Sequence, residues 1–126
     1  MLLLLCLVIW VLGLGVEGRA GKVLELTDET FEGTLQGTKG TGLFVMFYAP
    51  WCGHCKAMMG EWEKLGDILQ GDGIEVARVD VTVHHGVRRR FGVGAFPTLK
   101  LIRGNTVYDV GRGVSRDARS LATFAR

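Results

Sequence analysis

Leu43-Phe44-Val45-Met46-Phe47-Tyr48-Ala49-Pro50-Trp51-Cys52-Gly53-His54-Cys55-Lys56 is the stretch that decides how this chain folds. Its first six residues are apolar on both alternating faces, as in a central strand buried from two sides. Two thiols then follow, three positions apart, where the next helix should begin. Cysteines so spaced on a first helical turn can close a small, reversible disulfide, and the helix N-terminus favours the thiolate form. A lone CxxC is weak evidence. One at a strand-to-helix junction, flanked by Pro50-Trp51 and Lys56, is strong.

Downstream of the thiols, Met58, Trp62, Leu65 and Leu69 mark one helical face, which Gln70-Gly71-Asp72-Gly73 ends. Ile74 to Val81 reads as a strand. Val83, Val87 and Phe91 recur every four residues and predict a short helix. Thr98 to Ile102 is a strand, Gly104-Asn105 a hairpin turn and Thr106 to Val110 its partner. Ser115 is placed to cap a last helix carrying Ala118, Leu121, Ala122 and Ala125. Upstream, Lys22 to Leu26 is a short edge-like strand. Thr27-Asp28-Glu29 opens a helix bearing Phe31 and Leu35, and residues 37–42 form a glycine-rich loop. The order β-α-β-α-β-α-β-β-α predicts an α/β fold with a mixed central sheet and flanking helices. Its central strands should run parallel, with the hairpin as an antiparallel edge.

At 126 residues the chain holds one domain. Leu2 to Val16 is apolar apart from glycines, too short for the roughly 20 residues that span a bilayer comfortably. The reading taken is a cleaved secretory signal over residues 1–20, cut near 18–20, with the domain over 21–126. An uncleaved signal anchor and a buried N-terminal helix are the alternatives. Cys6 would leave with the signal, so the mature chain keeps only Cys52 and Cys55. Small secreted domains use disulfides as staples across long loops. A pair this local adds little stability, so these thiols are there for chemistry. The net charge of +2 excludes a strong field for nucleic acid or acidic membranes. Arg88-Arg89-Arg90, the one basic run, reads as a solvated helix end before Phe91-Gly92. Nineteen glycines, against an average of about 7%, suggest modest stability.

Residues 47–57 resemble the catalytic segment of a protein disulfide isomerase a-type domain, which has the thioredoxin fold. The likeness continues through Ala77-Arg78-Val79-Asp80-Val81-Thr82, Phe91-Gly92-Val93, Phe96-Pro97-Thr98-Leu99-Lys100, Tyr108 and Gly111-Arg112. It implies a redox disulfide Cys52–Cys55, with Cys52 the exposed attacking thiolate and Cys55 the buried thiol that resolves the mixed disulfide. Helix geometry agrees, because the first position lies nearer the free N–H groups and the second enters the core. His54 stands where thioredoxin-like reductases usually carry proline, and it should stabilise the reduced form. Thioredoxin lies at about −270 mV and protein disulfide isomerase at about −180 mV, roughly 4 kcal/mol apart for two electrons. The resemblance further implies a cis Phe96–Pro97 bond facing the thiols, with Trp51, Gly53, Phe96 and Pro97 meeting an extended substrate, and Arg112 swinging toward Cys55.

Two departures stand out. The family places a buried carboxylate where this chain has Met46, with Arg78 in the place of the paired lysine, so resolution by Cys55 is expected to be slower or to depend on water and Arg112. Gly60 stands where the family has a kinking proline, which predicts a straighter or looser helix. Zinc held by Cys52, His54 and Cys55 with His84 or His85 is a rival reading, but it lacks a second spaced pair. No cofactor and no metal is expected. The implied partners are unfolded or partly folded cysteine-containing polypeptides and an oxidant or glutathione for recycling. No nucleic acid is expected, and no stable membrane contact if the signal is cleaved. The implied location is the endoplasmic reticulum lumen or secretory pathway, although Thr123-Phe124-Ala125-Arg126 is not a KDEL-type signal. A thioredoxin-type reductase, a membrane-anchored redox domain and a redox-inert binding module are the alternatives.

Overall fold

The computed structural model describes residues 23–126, so the expected signal and Cys6 lie outside the described residues. Strands β1 (Leu24–Leu26), β2 (Leu43–Tyr48), β3 (Glu75–Asp80), β4 (Thr98–Arg103) and β5 (Thr106–Asp109) form one sheet in the order β1-β3-β2-β4-β5. Helices α1 (Phe31–Gly37), α2 (Gly53–Gln70), α3 (His85–Phe91) and α4 (Ala118–Ala125) flank it. The element order is the one the sequence predicts. β2 sits at the centre because its side chains are apolar on both faces, and Leu43 to Phe47 are all fully buried. Leu43, Val45 and Phe47 pack with Phe31, Leu35 and Val87, against α1 and α3. Phe44 and Met46 pack with Met58, Trp62, Leu65 and Leu121, against α2 and α4. Among the described residues no helix is long and apolar enough to cross a membrane.

β3 runs parallel to both β1 and β2, whereas β4 runs antiparallel to β2 even though a helix precedes it. The eighteen residues of α2 span about 27 Å at ~1.5 Å each, enough to return the chain to the far end of a six-residue strand roughly 20 Å long. The seven residues of α3 cover only about 10 Å. After α3 the chain re-enters the sheet at the end it left, with Thr98 opposite Phe47. That end is where the two cysteines stand.

Local capping follows expectation at Thr27 and differs from it at Asp28 and Ser115. Thr27 and Thr30 exchange hydroxyl-to-backbone bonds of 2.9 and 3.2 Å ahead of α1. Asp28 turns away from α1 and accepts the Val87 N–H at 2.9 Å and the Gly86 N–H at 3.3 Å in the first turn of α3. Asp117 rather than Ser115 caps α4, accepting the Ser120 N–H at 2.8 Å, while the Ser115 hydroxyl donates to its other oxygen at 2.6 Å. The acid wins because a charged acceptor bonds more strongly than a hydroxyl. Val83, expected inside the short helix, lies exposed before it, since α3 begins only at His85.

Leu65→Ala, at a fully buried site, should cost about 2–5 kcal/mol in urea unfolding. Val107→Ala on β5, a residue 43% exposed, should stay within about 0.5 kcal/mol. Equal losses at the two sites would contradict the assignment of the core. Asp117 has its carboxyl drawn down from 3.8 to about 2, foremost by the Ser115 hydroxyl and then by the Ser120 N–H and hydroxyl. A depressed acid stabilises above its unfolded value. The stability lost in Asp117→Ala should therefore be complete above pH 3.8 and fade as the pH falls toward 2. Denaturant midpoints of both proteins across that range test it.

Candidate active site

β2 carries the chain to Ala49 and Pro50, and the Cys52 N–H donates back to the Ala49 carbonyl at 3.1 Å. Cys52 is then the N-cap of α2, with an extended backbone at φ −78°, ψ 121°, and its carbonyl accepts the Lys56 N–H at 3.1 Å. Its sulfur accepts the Cys55 N–H at 3.4 Å. This is the bond an N-cap serine or aspartate makes to the third helical residue, so the spacing of the two cysteines is the spacing of a cap and its donor. Both thiols are free in this structure.

The two sulfurs have opposite acidities. Cys52 is held below its ordinary value, first by a bond with the Cys55 thiol, then by the Cys55 N–H, with the His54 N–H adding to both. Burial pushes Cys55 up to about 11, and the neighbouring Cys52 adds to that. Cys55 is 1% exposed. Cys52 is only 9% exposed, which corrects the expectation of an open thiolate. Ala49, Tyr48 and Phe96 pack around the pair, and the Cys52 thiol faces the Phe96 carbonyl at 3.8 Å.

The Phe96–Pro97 bond is cis and leads into β4, beside the start of α2. Trp51, 69% exposed, stands edge-on to the Phe96 ring with centroids 5.7 Å apart at 85°. The Arg88 guanidinium lies 5.2 Å from the Phe96 ring centre and donates to the Val93 carbonyl at 3.1 Å. His54, Ala57, Met58, Glu61, Phe96, Pro97 and Arg116 line a groove of about 550 Å³ alongside. The structure thus gathers Trp51, Cys52, Gly53, His54, Cys55, Phe96 and Pro97 at one end of the sheet. Arg112 lies exposed in the loop between β5 and α4, and no hydrogen bond or ion pair joins it to another described residue.

Met46 is fully buried in the layer under α2. Arg78 stands opposite it on β3, and Glu25 stands opposite Arg78 on β1. Arg78 therefore pairs with Glu25, which also accepts the Tyr48 hydroxyl at 2.7 Å. Burial, with Glu25 as acceptor, raises Tyr48 above its ordinary value. α2 runs unbroken through Gly60. His84 takes no part at the thiols, since its Nδ1 accepts the Asp28 N–H at 3.2 Å.

Sequence reasoning missed Arg88 and Arg116. Arg88 belongs to the basic run read as solvated, and only the fold shows its guanidinium on Phe96. Arg116 carried no signal, because an arginine after a serine in a loop has no pattern of its own. Glu61 likewise carries no sequence signal of its own, and the fold puts it in the groove wall.

The thioredoxin family model matches residues 22–126. Protein disulfide-isomerase 2-3 of Arabidopsis thaliana is 38% identical over 125 residues, 98% of this chain and 28% of that protein. Protein disulfide-isomerase A5 of Mus musculus is 43% identical over 86 residues, covering 66% of this chain and 16% of that one. The chain thus spans about a third or less of the length of the curated relatives it matches. The first thioredoxin domain of mouse protein disulfide-isomerase A4 superposes with a TM-score of 0.74 at 29% identity, covering 83% of this chain and 74% of that one.

Alkylation with iodoacetamide should separate the two thiols. Cys52 should react with a midpoint below the ordinary cysteine range, and Cys55 should remain unmodified until well into the alkaline range, near 11. Mass spectrometry of the pH series checks this, and a common midpoint for both would contradict it.

Proposed function

The chain belongs to the thioredoxin family, and from that premise we propose that it is a thiol–disulfide oxidoreductase of the protein disulfide isomerase type. The observation that carries the reading is the pair of sulfurs with opposite acidity, one a helix cap and the other buried three residues on. The Cys52 thiolate attacks one sulfur of a substrate disulfide. That S–S bond breaks, the departing substrate thiolate takes a proton, and a mixed disulfide remains on Cys52. Cys55 then loses its proton and attacks the Cys52 sulfur, which releases the second substrate thiol and leaves Cys52–Cys55 oxidised. Two electrons pass to the substrate. Run in reverse, the same steps donate a disulfide.

Direction depends on how well the reduced form is stabilised. The Cys55 and His54 N–H groups favour the Cys52 thiolate, which makes the disulfide more oxidising. His54 adds a polar group beside the sulfur where a proline would offer none. Arg112 has no partner among the described residues and takes the role of swinging toward Cys55 to ease its deprotonation. Met46 provides no proton acceptor, so resolution depends on water or on that arginine. Trp51, Gly53, Phe96 and Pro97 meet the substrate, whose extended backbone lies along the Phe96–Pro97 edge. The substrates are cysteine-containing polypeptides in the course of folding, with an oxidant or glutathione for recycling. The apolar stretch Leu2 to Val16 and the disulfide-isomerase relatives support a place in the secretory pathway, in the endoplasmic reticulum lumen.

Equilibration of Cys52–Cys55 with glutathione tests this. The potential should lie near about −180 mV, and His54→Pro should move it toward about −270 mV. A native value already at the lower figure would favour a reductase. Cys52→Ser should abolish both insulin reduction and the rescue of scrambled ribonuclease, whereas Cys55→Ala should accumulate mixed disulfides. Activity retained by Cys52→Ser would refute the mechanism.

A further inference from the structure

The groove beside Cys52 carries a charge that the chain itself does not neutralise. Arg116 lines it, and the guanidinium's one hydrogen bond is a long one, 3.5 Å to the Pro97 carbonyl. The acids nearest in space or sequence are already engaged. Glu61 accepts the Ala118 N–H at 2.8 Å and the Lys64 ammonium at 3.1 Å, one on each oxygen. Asp117 accepts the Ser115 and Ser120 hydroxyls at 2.6 and 2.9 Å and the Ser120 N–H at 2.8 Å. Among the described residues no ion pair involves Arg116. His54 faces the same groove and adds positive charge whenever it is protonated.

We propose that Arg116 is a specificity-determining residue, selecting disulfide substrates that carry Asp or Glu beside the reacting cysteine. This inference rests on the oxidoreductase reading. The placement follows from two carbonyls in succession. The Phe96 carbonyl stands over the Cys52 sulfur and the Pro97 carbonyl holds Arg116. A strand laid along this edge with its cysteine at Cys52 brings a flanking side chain into the groove. A carboxylate there meets an uncompensated guanidinium, which binds it with two parallel hydrogen bonds. A lysine or arginine at the same place meets like charge.

The test uses three cyclic peptides, each closed by one disulfide and identical except for Glu, Gln or Lys beside one cysteine. The reduced protein opens each ring, with loss of the Cys52 and Cys55 thiol protons to the two peptide thiols, and fluorescence across the opened ring follows the rate. At low salt kcat/KM should favour the Glu peptide over the Lys peptide by about threefold or more, as for an exposed ion pair. The preference should shrink toward unity near 1 M salt. Arg116→Ala should abolish it, Arg116→Glu should reverse it and Arg116→Lys should keep most of it. Arg119→Ala removes the same charge outside the groove and should leave the ratio unchanged. An equal Glu-to-Lys ratio in wild type and Arg116→Ala, or an equal loss in Arg119→Ala, overturns the proposal while the Gln peptide still turns over. No turnover of the Gln peptide overturns the oxidoreductase reading, and this inference with it.

Discussion

The seating of the first turn of α2 at the end of β2 is the constraint on which the rest of the molecule depends. β2 cannot shift, because its residues are buried on both faces and a slip by one position would exchange the two sets of side chains. The turn that follows it is closed by the Cys52 N–H on the Ala49 carbonyl. The helix start is therefore held against the most rigid strand of the sheet. Its unpaired N–H groups must find an acceptor, and the acceptor in this chain is a sulfur. The chemistry and the capping of the helix are the same interaction.

From that seating comes the asymmetry between the sulfurs. A helix that begins at the sheet edge and runs over the sheet takes its third residue into the core within one turn. Cys52 thus keeps the N–H groups and Cys55 takes the burial. The opposite wall is supplied by the return of the chain into β4. Because β4 runs antiparallel to β2, Phe96 and Pro97 arrive at the same end as the thiols. Arg88 on one side and Trp51 on the other hold the Phe96 ring, and its carbonyl covers the Cys52 sulfur.

The rung formed by Met46, Arg78 and Glu25 shows how a missing carboxylate reshapes its surroundings. With a thioether at the central strand, the Arg78 guanidinium finds no carboxylate beneath α2, where it donates to the Met59 sulfur at 2.9 Å, and it pairs with the carboxylate on β1. Tyr48 joins the same acid with its hydroxyl, and the guanidinium lies over its ring at 5.7 Å. The charge is satisfied at the partly exposed edge of the sheet. The layer around Cys55 stays apolar, which is consistent with the raised pKa of that thiol.

Much of this was legible in the residues. Apolar runs and the recurrence of Met58, Trp62, Leu65 and Leu69 every three or four residues determined the elements and their order, since side-chain periodicity is a local property of backbone geometry. The Cys52-Gly53-His54-Cys55 spacing at a strand end likewise determined a helix start bearing two thiols. What only the tertiary structure decided were relations between distant segments. β4 runs antiparallel to β2 although a helix precedes it, a direction that no local pattern of residues records. Asp28 serves α3 rather than its own helix, Arg88 lies over the Phe96 ring, and Arg116 belongs to the wall of a groove. Such contacts join residues more than fifty positions apart for Asp28 and nearly twenty for Arg116. Their partners are chosen by the packing of elements against one sheet, and no spacing along the chain records that choice.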